Sequence, residues 1–146
     1  MRYLGLDVGD RRIGVALSDE TATLASGLPT LERVGQKKDP NAVVELARRH
    51  EAGAIVVGLP RSLDGSLGPQ AESVLDFAES LKRRTRLPVL TWDERFTTRL
   101  AHQALIEGDV SRRKRKDLVD QVSAVLILQS YLDHLKLAAE AGGTVA

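Results

Sequence analysis

Three acidic positions far apart in the chain carry the chemistry open to this sequence: Asp7, the pair Asp93-Glu94, and Asp120 with its neighbour Asp117. Asp7 lies where a short apolar strand, Tyr3-Leu4-Gly5-Leu6, gives way to Gly9 before a second strand starts at Ile13. Alone, such an acid is an ordinary turn residue that hydrogen-bonds nearby backbone. Three carboxylates gathered together, with no cysteine and no organised histidine, instead make an all-oxygen site of the kind that takes magnesium or manganese, one or two ions. That chemistry is phosphoryl transfer, with nucleic acid as the expected substrate.

Each acid also has a plainer role. Asp93 can cap a turn and leave Glu94 to pair with Arg95 or Arg99, and Asp117 and Asp120 both fall in the first turn of the last predicted helix, where the helix dipole favours acids. Helical spacing puts Asp120 on a face with Ala124, Ile127 and Tyr131, and Asp117 toward Leu128 and Leu135, so periodicity does not choose between them. An acid that faces a sheet needs a cation or hydrogen bonds to offset its burial, which is the physical case for a metal.

The elements that must position these acids read as mixed α/β. Leu4, Leu6 and Val8 alternate along one strand and Ile13, Val15 and Leu17 along the next, with Gly9-Asp10-Arg11-Arg12 between them, which predicts a hairpin. A third strand, made irregular by Gly27 and Pro29, falls between Leu24 and Glu32. Asp39-Pro40 offers an N-cap and first-turn proline for a helix to about His50, closed by Gly53. Ala54-Ile55-Val56-Val57 is the unbroken apolar run of a strand covered on both faces, ended by Gly58-Leu59-Pro60. A mobile loop from Arg61 to Gly68 leads to a helix from Pro69 to about Arg84, then a strand over Pro88–Trp92. Thr97 or Thr98 caps a short helix ending near Gly108, and a basic loop precedes the final helix, Asp117 to Ala138.

Antiparallel strands followed by alternating helix and strand imply one α/β domain over residues 1–138, a mixed five-stranded sheet flanked by helices on both faces, with 139–146 as a flexible tail. The carboxyl ends of the strands at Asp7, at Gly58-Leu59-Pro60 and at Asp93-Glu94 would then share one edge, provided the first strand runs parallel to the other two.

Composition narrows the classes. A chain of 146 residues, 42% hydrophobic, can bury a core as one domain. No segment is long and apolar enough to span a bilayer and the first residues lack the pattern of a secretory signal, so a soluble cytoplasmic protein with no membrane partner is expected. The net charge of +1 conceals basic clusters, above all Arg112-Arg113-Lys114-Arg115-Lys116; a solvated surface run is the plain reading, and a phosphate-backbone contact becomes plausible beside the acids. His50, His102 and His134 suit surface or helix-terminal roles better than ligation. There is no Gly-Xaa-Ser-Xaa-Gly elbow and no Gly-Lys-Ser/Thr phosphate loop, and aromatics at 3% leave no base-stacking platform.

Four ordered blocks carry a family resemblance: Asp7-Val8-Gly9 with Arg12-Ile13-Gly14-Val15-Ala16; Ile55-Val56-Val57-Gly58-Leu59-Pro60 with Asp64-Gly65; Asp93-Glu94-Arg95-Phe96-Thr97-Thr98; and Asp120 with Ser123-Ala124 and Leu126-Ile127-Leu128-Gln129. Together they resemble the YqgF (RuvX) family over nearly the whole chain. The resemblance implies a ribonuclease H-like fold and a bacterial protein described both as a Holliday junction resolvase and as the nuclease that matures the 5′ end of pre-16S ribosomal RNA. It maps the family acids onto Asp7, Glu94 and Asp120, which would hold one or two magnesium or manganese ions and activate water, leaving 5′-phosphate and 3′-hydroxyl ends. Backbone amides around Gly9 and Gly58, together with Arg95 and the run Arg113-Lys114-Arg115, would hold phosphates. The partner is then pre-rRNA or branched DNA; a resolvase needs a homodimer with two sites, whereas trimming RNA needs one. Two other classes compete: the actin-like and sugar-kinase ATPases, which also begin with Asp-Xaa-Gly and a hairpin, and a non-catalytic RNA-binding or transcription-associated module.

Overall fold

In the first strand, β1 (Arg2–Val8), Leu4, Leu6 and Val8 alternate with Tyr3, Gly5 and Asp7, so its two faces differ in bulk before any packing occurs. The computed structural model describes residues 1–61, 66–93 and 112–141, through the backbone alone in 112–120 and at 141. β1 pairs antiparallel with β2 (Arg12–Ser18), which pairs antiparallel with β3 (Ala25–Glu32). On its other side β1 runs parallel to β4 (Ala52–Leu59), and β4 runs parallel to β5 (Val89–Asp93). The result is the expected five-stranded mixed sheet, in the order β3-β2-β1-β4-β5. The condition on which the shared edge depended is met, since β1, β4 and β5 all point the same way.

Helices α1 (Lys38–Arg49) and α2 (Pro69–Arg84) cover one face and α3 (Arg112–Ala141) the other. Against the first two, Leu4, Leu6, Ile55 and Val57 pack with Val43 and Ala47 of α1 and with Val74, Phe77 and Leu81 of α2. On the opposite face Ala16 and Val56 meet Ala124, Leu128 and Leu132 of α3. This second contact is close because small residues stand in rank across three strands: Gly5 pairs with Ala16 and Ala16 with Gly27. A Cβ on Gly5 would lie 2.7 Å from Cβ of Leu128, nearer than two carbons can approach, so a glycine is required for the helix to seat.

Local departures from the expected elements have identifiable causes. Asp39 does not cap α1; the N-cap position is Lys37, and the buried Asp39 carboxylate instead accepts hydrogen bonds from the Val34 amide at 2.9 Å, the Gly35 amide at 3.3 Å and Arg33 Nε at 2.8 Å. The chain leaves α1 through Glu51, at φ 56°, while Gly53 is already inside β4. Between β2 and β3 the register slips, Ile13 pairing with Leu31 but Val15 with Leu28, because Pro29 has no N–H for the ladder. The final helix begins by Arg112 rather than Asp117, so Arg113, Lys114 and Arg115 are helical and not in a loop; Arg and Lys are good helix formers and extend it. It also continues through Ala141, past the predicted end at Ala138. The short helix expected from Thr97 or Thr98 and the Asp64-Gly65 turn lie outside the described residues.

Candidate active site

Asp7 stands in β1 itself, partly buried, one residue before the strand ends, and so is not a turn residue. Alternation puts it on the same face as Gly5, the face that α3 covers. Its direct partner across the antiparallel pair is Gly14. On the parallel side Leu6, Val57 and Thr91 form one rank, and the next residues along the three strands are Asp7, Gly58 and Trp92, of which Gly58 and Trp92 pair. The carboxylate is therefore flanked by a glycine on each side, which leaves a trough in the sheet surface bounded beyond Gly58 by Trp92. Gly14 went unnoticed in the sequence as a site residue; its register opposite Asp7 follows once the hairpin loop is fixed at three residues.

The turn that follows is tight and braced. The Gly9 amide donates to the Arg12 carbonyl at 2.9 Å, and a Cβ on Gly9 would come within 2.8 Å of that same oxygen. The Gly9 amide is thus engaged within the turn, where the glycine permits the close approach of the backbone. Gly58 is buried inside the interior strand β4, and what it contributes is the missing side chain. The Gly9 carbonyl accepts from Arg33 Nη1 at 2.8 Å, while Arg33 Nε is held by Asp39 and the guanidinium lies over the Phe77 ring at 5.4 Å. Burial disfavours the charged form of Asp39, yet the amides of Val34 and Gly35 and the Arg33 guanidinium more than offset it and hold this carboxyl below the usual range.

Helix α3 runs antiparallel to β1 above the trough. The Tyr131 ring meets the Tyr3 ring edge-on at 5.7 Å and Leu128 lies over Gly5, so the helix numbers fall as β1 advances. Two residues of strand, about 6.6 Å, correspond to about four of helix, about 6 Å, which sets Ala124 level with Asp7 and the Asp120 backbone one turn beyond. Ala124 and Ser123 are both fully buried, and Ser123 Oγ has no hydrogen-bond partner among the described residues. Trp92 Nε1 donates to Ser130 Oγ at 3.1 Å, which fixes the face of β5 that meets α3. By alternation Asp93 then lies on the opposite face from Asp7.

Of the acids expected to converge, Asp7 is described in full and Asp120 through its backbone, on the helical stripe that leads to Ala124 and Leu128. Glu94 and Arg95 lie outside the described residues, and Arg113, Lys114 and Arg115 are seen as helical backbone. Among the described residues there is no helix long and apolar enough to cross a membrane.

The family model RuvX, described as Holliday junction resolvase, matches residues 1–134. A protein of Thermoanaerobacter pseudethanolicus named "Putative pre-16S rRNA nuclease" is 50% identical over 137 residues, covering 93% of this chain and 99% of that protein. Among solved structures, T. thermophilus RuvC in complex with Holliday junction substrate superposes with a TM-score of 0.58 at 14% identity, over 93% of this chain and 96% of that one. The Fowlpox virus resolvase with Holliday junction DNA gives 0.57 at 14% identity, over 92% and 99%. At that identity the two structures show a shared fold.

Proposed function

The chain belongs to the RuvX family, and from that premise we propose that it is a divalent-metal-dependent nuclease acting in 5′-end maturation of pre-16S ribosomal RNA. The observation that carries the reading is the parallel direction of β1, β4 and β5, which turns the Asp7 end of β1 and the Asp93 end of β5 to one rim. Asp7, Glu94 and Asp120 would hold magnesium or manganese, one or two ions; their donor atoms are all carboxylate oxygen, the set that hard cations prefer. When bound, such a cation supplies Lewis acidity and lowers the pKa of water. Asp7 fits the task because Gly14 and Gly58 leave a phosphodiester room to approach it. Buried Ser123 Oγ adds a hydroxyl one residue from the helical position level with Asp7.

Arg113, Lys114 and Arg115, with Arg95, would bind substrate phosphates. Cations at a helix N-terminus oppose the helix dipole, and an anion there relieves both charges. The family description favours a second reading, resolution of Holliday junctions in DNA recombination and repair, which calls for a homodimer with two sites. Digestion of precursor ribosomal RNA and of a synthetic four-way junction, side by side with magnesium or manganese, tests both. Cleavage of the RNA by a monomer supports the first reading; cleavage of the junction by a dimer supports the second. Binding without cleavage under any divalent ion would leave a non-catalytic RNA-binding module.

A further inference from the structure

On the face of the sheet away from α3, a cavity of about 360 Å³ opens between the start of α1 and the length of α2. Four cations line it, Arg33, Lys37, Arg83 and Arg84, against a single carboxylate, Asp76. On the same helices Arg48 pairs with Glu45 at 2.8 Å and Lys82 with Glu79 at 3.1 Å. Lys37 and Arg83 have no such partner among the described residues, so the groove keeps a positive excess.

Two of the four are fixed in place. Arg84 Nη1 donates to the Ser80 carbonyl at 3.0 Å. Arg33 is clamped by Asp39 and stacked on Phe77, and its remaining N–H groups are without partners among the described residues. Holding an arginine this way lowers the entropy lost when it binds an anion. Arg33 also grips the Gly9 carbonyl, so the groove begins at the turn directly after the Asp7 strand. Phe77 is buried beneath Arg33, leaving no ring on which a base could stack.

We propose that this groove is a second nucleic-acid site, which holds the phosphodiester backbone of a single strand outside the cleavage rim, without reading its sequence. The proposal rests on the nuclease reading for the identity of the strand, while the groove's charge and shape stand apart from it. Backbone contacts of this kind bind by releasing counterions.

The test is titration of fluorescently labelled single strands, roughly 20 nucleotides long and above the usual site size, RNA and DNA of one sequence, into the full chain with chelator present. Lys37→Glu with Arg83→Glu should weaken binding about tenfold or more and lower the salt slope by about 1.4, from two lost phosphate contacts at about 0.7 each. Arg48→Glu with Lys82→Glu, the same change of net charge on paired cations, should lower it by far less. The milder Lys37→Ala with Arg83→Ala keeps the measurement open if the charge reversal unfolds, as thermal melting would reveal. Loss on both strands assigns the shared backbone, and loss on one assigns its sugar as well. Equal slopes for the groove and control variants overturn the proposal. Cleavage of the same RNA by the unaltered chain with magnesium is read separately: if it cleaves while the slopes are equal, the groove fails and the nuclease stands; if it never cleaves while the groove slope falls, the reverse holds.

Discussion

The two faces of the sheet are built on opposite terms. Toward α1 and α2 they present Leu4, Leu6, Ile55 and Val57, large aliphatic side chains buried without remainder. Toward α3, β1, β2 and β4 present Gly5, Asp7, Gly14, Ala16 and Gly58, with Tyr3 and Val56 as the larger residues. Bulk on one side gives cohesion, because transfer of apolar area from water is roughly proportional to what is covered. Smallness on the other side lets a helix approach closely and sets a carboxylate between two glycines. Stability and chemistry are thus separated by the two-residue repeat of single strands.

Substitutions on each face can break or sharpen this contrast. The largest effect is expected of Asp7→Asn, which should abolish metal-dependent cleavage while the melting temperature stays put; full activity in the purified variant would end the proposed chemistry. Leu6→Ala, two atoms of backbone away but facing α1 and α2, should cost about 2–5 kcal/mol in denaturant unfolding and leave the rate per folded molecule unchanged. A rate that fell with it would mean that the faces are not independent. Gly5→Ala should cost about 1–3 kcal/mol as its Cβ drives Leu128 outward, and it alone should lower stability and cleavage together, because α3 also carries Asp120.

The smallest effect belongs to a buried polar anchor of the aliphatic side, Asp39. Asp39→Asn should lower stability by about 1–3 kcal/mol near neutral pH, through weakened bonds to Arg33 and the Val34 and Gly35 amides. Because the folded carboxyl sits below its ordinary value, its contribution is complete above about pH 4 and is lost as pH falls through the folded value. Unfolding curves of the two proteins should therefore converge in acid. A gap that stayed constant down to about pH 2 would show that the charge is not what matters.

Much of this arrangement was legible in the chain because it depends on local rules. The bounds of α2 follow from Pro69 at the first helical position, and the strand alternation that separates Leu4 and Leu6 from Gly5 and Asp7 is written in residue order. What failed to show was tertiary. Asp39-Pro40 has the local look of a cap, but Arg33 and two amides compete for the carboxylate and win. Gly53 looks like a helix stop, yet pairing drew it into β4 and left Glu51 with the left-handed turn. The bond from Arg33 to Gly9 spans 24 residues and has no local signature at all. For the site, the family blocks named Glu94 and Asp120, while spacing alone left Asp117 equally placed.

The slipped register at Pro29 has an effect beyond its own pairing. β3 lies at the margin of the sheet, where an unbroken row of donors and acceptors would invite a strand from another molecule to extend it. A proline and a misaligned step interrupt that row, so the margin is a poor template for a strand from another molecule.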